Sequence, residues 1–210
     1  MRKVIWLLLI SMSSVAYAGD NVPTVDEMQA WWQKNSAEKI NFLDQDIRAI
    51  HLRNGEVAYL VSISVFDRGR NDFFQTALVR PSLAEVRSLE GTIVKDVADV
   101  VDLANDNVSE VIVKSSGSGQ GSEMGERGIV QFDGWEPVIL REISFSNDSG
   151  YIGLDFHSSS DDVTWEFVDL DGDGAKDLVE THVVKEDDVV KSKQINRFVF
   201  KDNKFISYTQ

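Results

Sequence analysis

The sequence predicts an all-β fold with one N-terminal helix. Repeated antiparallel strand–loop–strand units are expected to assemble into a partial propeller-like array or a curled sheet. Three observations carry this. From about residue 47 the chain runs in short apolar stretches punctuated by Asn54-Gly55, Asp133-Gly134 and Asp202-Asn203, the turn chemistry of tight hairpins. A segment opening at Asp102-Leu103 recurs at Asp169-Leu170, 67 residues later. Helical spacing is confined to one stretch near residue 25.

The chain opens with Met1-Arg2-Lys3, then the apolar run Val4 to Ile10, then Ala16-Tyr17-Ala18 before Gly19. A basic start, a short apolar core and a small-residue cleavage site form the order of a secretory signal peptide. Its apolar run is far below the roughly 20 residues a spanning helix requires. Residues 1–18 are therefore read as a leader, 19–45 as a helical segment and 46–210 as a β-repeat domain, with units near 46–93, 94–160 and 161–210. The mature chain is expected in the periplasm or outside the cell, with no membrane span left after cleavage.

Thr24 and Glu27 have capping-box spacing, and Val25, Met28 and Trp31 or Trp32 follow at helical intervals, so a helix is expected to end near Asn35. Its paired Trp residues are read as docking onto the domain core. Strands are expected over 47–52 and 57–65 about the Asn-Gly turn, then near 130–132, 163–168, 195–200 and 205–208. In the repeat, Glu110 to Val113 leads through a Ser/Gly-rich loop to Ile129–Phe132, and Asp177 to Val179 leads through a charged loop to Arg197–Phe200. A fainter copy joins Ala58–Val61 to Phe74–Val79 through a loop at Asp67 to Arg70. Ser115 to Ser122 lacks the Lys of a phosphate-binding loop and is read as a flexible connection. An open array of such units leaves sheet edges exposed. The helix is expected to cover one such edge and self-association the other.

Composition narrows the function. The chain carries 35 Asp+Glu against 21 Lys+Arg, a net charge of -14, and losing Arg2 and Lys3 with the leader takes it to −16. Such a surface repels phosphate backbones, so no nucleic-acid partner is expected. Zero cysteine excludes disulfides, thiolate metal sites and thiol catalysis. Stability must then come from packing and a bound ion.

The ion has a candidate loop. Asp169-Leu170-Asp171-Gly172-Asp173-Gly174-Ala175-Lys176-Asp177 places carboxylates at positions 1, 3, 5 and 9, with Gly at position 6 for the turn. Hard oxygen ligands in that number suit Ca²⁺, with the Ala175 carbonyl as a further donor. Glu180 at position 12 gives EF-hand spacing, but Lys176 stands where an aliphatic residue belongs and both flanks read as strands. The loop resembles the calcium loops of FG-GAP/VCBS-type repeats, such as those of integrin α propellers. That resemblance spans about Val94 to the C-terminus and implies a blade-like unit holding Ca²⁺ through Asp169, Asp171, Asp173, the Ala175 carbonyl and Asp177. The Phe-Gly and Gly-Ala-Pro cassettes of the family are absent. The earlier copy, with Asp102, Asp106 and Glu110, has Ala104 at position 3 and Asn107 in place of Gly. It is a weaker candidate, read as a turn held by side-chain hydrogen bonds.

The three histidines, His51, His157 and His182, have no ligand spacing for zinc. The expectation is an exported, non-enzymatic binding or scaffolding protein of the bacterial cell envelope, with a protein or polysaccharide partner. The alternatives are a secreted hydrolase working through acids among Asp155, Asp161, Asp162 and Glu166, or an acidic inhibitor or immunity-type protein for a basic target.

Overall fold

The computed structural model describes residues 22–65, 73–119, 122–148 and 158–209. The leader, the Asp67 to Arg70 loop, Asp155 and His157 lie outside the described residues. Helix α1 (Val25–Asn35) starts where the capping box places it. Thr24 Oγ1 accepts the Glu27 N–H at 3.3 Å, and Glu27 returns a carboxylate to the Thr24 N–H at 2.8 Å. Met28 and Trp32 are buried, and the Trp32 indole donates to the Glu38 carbonyl at 2.9 Å. Full burial of two such side chains is worth about 1.5–3 kcal/mol each.

Twelve strands follow among the described residues, every pairing antiparallel. The first four, β1 (Ile40–His51), β2 (Val57–Val65), β3 (Phe73–Arg80) and β4 (Glu85–Ser88), form one sheet in sequence order. The remaining eight form a second meander: β5 (Asp96–Val101), β6 (Glu110–Gly119), β7 (Ser122–Asp133), β8 (Glu136–Asp148), β9 (Ser159–Val168), β10 (Asp177–Glu186), β11 (Val189–Lys201) and β12 (Lys204–Ser207). This is the all-β fold with one helix and a curled sheet that the turn chemistry predicts, and it closes into no barrel.

The curl has a visible cause. Strands β8 and β9 pair only over Ser146 to Asp148 and Ser159 to Asp161. Beyond that short seam the eight-stranded sheet splits, and β5–β8 and β9–β12 turn face to face. Strand alternation then sorts the side chains. Val111, Val113, Val130 and Phe132 point to the first sheet, against Ile50, Leu52, Leu60 and Leu78. Ile129, on the opposite face, joins Leu103, Leu178 and Phe200 between the two halves of the second sheet. Helix α1 covers the outer face of the first sheet through Tyr59, Val61, Ile63, Ala77 and Val79. The result is a stack of four layers: helix, β1–β4, β5–β8 and β9–β12.

Three sequence expectations need correction. Strand β1 begins at Ile40, before Asp46, and its pairing with β2 shifts register between Phe42 and Ile47. The Ser/Gly-rich stretch is no flexible connection: Ser115 to Gly119 pairs residue by residue with Glu126 to Ser122. Gly125 permits this, since a Cβ there would lie 2.4 Å from both the Phe145 ring and the Ser115 carbonyl oxygen. Nor is the segment after Val179 a charged loop. It is a long β10–β11 ribbon turned by Asp187 and Asp188, both at positive φ.

Candidate metal centre and the paired aspartate loops

The two aspartate loops have one backbone solution. In the later loop, Asp169 accepts the N–H groups of Gly172 at 2.6 Å and Gly174 at 3.2 Å, and Asp173 accepts that of Ala175 at 2.8 Å. In the earlier loop, Asp102 accepts from Asp106 at 3.1 Å and Asn107 at 3.0 Å, and Asp106 accepts from Val108 at 2.9 Å. The position-2 amide closes each loop onto its position-9 acid: Leu170 to Asp177 at 2.8 Å, and Leu103 to Glu110 at 2.6 Å. Positions 4 and 6 are left-handed in both, as Gly172 and Gly174 in one and Asn105 and Asn107 in the other. Asn tolerates that region better than other non-Gly residues, so the degenerate copy keeps the turn without glycine.

The loops also touch. The Lys176 N–H donates to the Leu103 carbonyl at 2.7 Å, and the Asn105 amide to the Gly174 carbonyl at 2.8 Å. On its other side the earlier loop reaches the first sheet, where the His51 N–H donates to Ser109 Oγ at 2.9 Å. The two repeats of the sequence are thus neighbours in space.

Asp169, Asp171 and Asp177 each bring one carboxylate oxygen to within 4.8 Å of the others. Ca²⁺–oxygen bonds of about 2.3–2.6 Å put ligands on opposite sides of an ion about 5 Å apart, so this spacing fits a hard divalent cation. Asp177 is 1% exposed, and its oxygens accept the Leu170 and Phe200 N–H groups. Each oxygen keeps a second lone pair for a cation. Asp173 stands outside the converging group. Ala175 engages Asp173 through its N–H, and a ligand role for its carbonyl rests on the family resemblance.

The earlier loop brings together no such group among the described residues. Ala104 offers no ligand, and Glu110 turns inward, fully buried, to accept from Gln131 at 2.6 Å. Burial pushes the Glu110 carboxyl up to about 7; the Leu103 and Gln131 hydrogen bonds oppose that rise, and the charges of Asp106 and Asp102 add to it. Gln131 also donates to Asn203 and accepts from Arg53, which ties all three strand groups together.

Sequence reading missed the other polar centre. Glu180 is fully buried on the inner face of β10 and accepts two hydrogen bonds from Arg141 of β8, at 2.8 and 3.2 Å. The Trp165 indole and the Asn196 amide also donate to it, and a His182 ring nitrogen lies at 3.2 Å. Burial raises its pKa, but Arg141, Asn196 and Trp165 outweigh that and hold it below the ordinary carboxylate range. Arg141 lies 4.4 Å above the Phe198 ring centre. One signal was available: an acid set among Leu178, Trp165 and Phe167 on one face. Glu180 thus serves packing between the halves of the second sheet, and β9 and β10 flank the loop where an EF-hand has helices.

The hydrolase candidates among the described residues do not converge. Asp161 and Asp162 are neighbours on one strand and point to opposite faces. Asp161 lies 3.7 Å from His182, Asp162 is paired with Lys185 at 2.8 Å, and Glu166 is exposed. Asp162 and Glu166 share a face but sit four residues apart, about 13 Å along a strand, wider than paired carboxylates use. Asp161 borders an open cleft of about 520 Å³ with Lys95, Ser115, Phe145 and Ser146, at the end of the sheets away from the aspartate loops. No helix among the described residues is long and apolar enough to cross a membrane. The chain matches no family model, no curated protein and no solved structure.

Proposed function

We propose that this is an exported, non-enzymatic binding or scaffolding protein of the cell envelope whose stacked sheets are stiffened by Ca²⁺ in the Asp169 loop. The observation that carries the reading is the convergence of Asp169, Asp171 and Asp177 in a loop hydrogen-bonded to its own structural copy. A cation there neutralises three clustered carboxylates and braces the contact between β5–β8 and β9–β12. Its role is structural. The export half of the proposal rests on the order of charge, apolar core and small residues in positions 1–18. The open cleft, lined by serines, Lys95 and Phe145, is the surface offered to a protein or polysaccharide partner.

Thermal melts of the mature chain in EDTA and in millimolar CaCl₂ test this. An ion at about 100 times its dissociation constant adds about 2.7 kcal/mol. At this chain length that is a rise of roughly 5–11 °C. Asp171→Asn keeps the acceptor for the Asp173 N–H but removes a charged ligand, so the rise should collapse in that variant. Equal melts with and without calcium in the native chain, or an undiminished rise in Asp171→Asn, would refute the proposal.

A further inference from the structure

The four-layer stack is capped at one end and open at the other. Helix α1 closes the outer face of the first sheet, whereas nothing among the described residues closes the outer face of β9–β12. That face carries Val168, Val179, Thr181, Val183, Ile195, Val199 and Ile206, and none of them belongs to an apolar cluster. Ile195 and Ile206 are 44% and 48% exposed.

Its charges are polarised across the strands. On this face β9 carries Asp162 and Glu166 and no base, β11 and β12 carry Lys193, Arg197, Lys201 and Lys204 and no acid, and Lys185 of β10 is paired with Asp162 at 2.8 Å. Strand β10 runs between them, and the register places acid and base at matched distances on either side of it. Val179 pairs with Glu166 on one side and Arg197 on the other, and Val183 pairs with Asp162 and Lys193. Thr181 lies between, flanked by Thr164 and Ile195.

We propose that this face binds a second copy of the chain through a twofold axis running close to β10. Rotation about that axis keeps each row level and exchanges its two sides. Glu166 of one copy then meets Arg197 of the other, and Asp162, which holds Lys185 of its own chain, also faces Lys193, each contact made twice around an apolar centre of Val179, Thr181, Val183 and Ile195. An isologous interface requires such self-complementarity, and face-to-face sheet packing accommodates the small angle that strand twist introduces. A chain with a large negative excess repels its own copies in most orientations, and this face is where its bases gather and its Glu166 can be set against Arg197. The inference is independent of calcium.

Analytical ultracentrifugation of the mature chain should give twice the chain mass, with dissociation favoured by high salt. Arg197→Glu sets like charges across the axis and should yield a monomer, as should Glu166→Arg. The double variant restores opposite charges and should return the dimer. Both substitutions are at exposed positions, and circular dichroism confirms the fold in all three variants. The chain has no cysteine, so Thr181→Cys, on the axis, should cross-link to its own copy through a short bismaleimide that spans the gap of about 10 Å between packed sheets. A monomeric native chain, a dimer unaffected by Arg197→Glu, a double variant that stays monomeric, or a Thr181→Cys chain that fails to cross-link would overturn the proposal.

Discussion

Replacing Arg141 by Met exposes how the two halves of the second sheet are held together. The substitution keeps most of the stem over Phe198 but removes both donors to Glu180, a carboxylate with no solvent exposure. Breaking a buried pair from one side costs about 3–5 kcal/mol, because the remaining charge keeps its desolvation penalty. The Arg141 side chain is 27% exposed, and Trp165 and Asn196 still donate to Glu180, which places the cost near the lower bound, about 3 kcal/mol. In a chain of this length that lowers the melting temperature by roughly 6–12 °C. The pH dependence should reverse as well. In the native chain the Glu180 pKa is lowered, so its contribution is present above the ordinary carboxylate value and fades as pH falls. In Arg141→Met, burial is opposed only by the Asn196 and Trp165 hydrogen bonds, so that pKa should rise and stability is instead regained as pH falls. Denaturant unfolding from pH 7 to pH 5 measures this, with His182→Asn as a background that removes the neighbouring imidazole. The deficit should narrow toward pH 5, and adding Glu180→Gln should recover most of it. A deficit that is constant with pH, or a double variant as unstable as the sum of the single ones, would show that Glu180 is not the group left uncompensated.

Two other expectations follow from single positions. Glu110 is held near 7 in the fold against an ordinary 4.5, so the fold favours its protonated form. Stability should be full below about 4.5 and fall as pH rises through 7, by at most about 3 kcal/mol, and Glu110→Gln should flatten that slope in urea titrations. An unchanged slope in the variant would assign it to other groups. Gly174→Ala forces a side chain into φ +90 with open space around it, so backbone strain alone should cost about 1–2 kcal/mol, whereas Asn107→Gly at the equivalent position should be neutral or stabilising. Equal effects at the two positions would contradict the shared backbone of the loops.

What the sequence disclosed depended on how local the cause was. The helix could be read because Thr24 and Glu27 act three residues apart, and the hairpins because Asn54-Gly55 and Asp133-Gly134 each bend the chain on their own. The loop repeat could be read because the same residue types recur at one spacing. The β10–β11 ribbon could not: residues 189 to 195 are all exposed, so neither side of the strand imposes the apolar alternation that marks a half-buried sheet. The Ser/Gly strand hid for a similar reason, since its pairing depends on a close approach at Gly125 that only the fold reveals. Glu180 and Arg141, 39 residues apart, meet only because the sheet splits at the β8–β9 seam. Of the predicted ligands, Asp169, Asp171 and Asp177 converge; Asp173 is diverted by the Ala175 N–H just after it.

If one cation braces both loops, amide hydrogen exchange with and without Ca²⁺ reads it at named positions. The Lys176 N–H is bonded to Leu103 of the other loop, and the Phe200 N–H to a candidate ligand, Asp177. Calcium should therefore slow exchange at both amides and across residues 102–110 together with 169–177. Protection restricted to 169–177, or absent from both loops, would contradict the account.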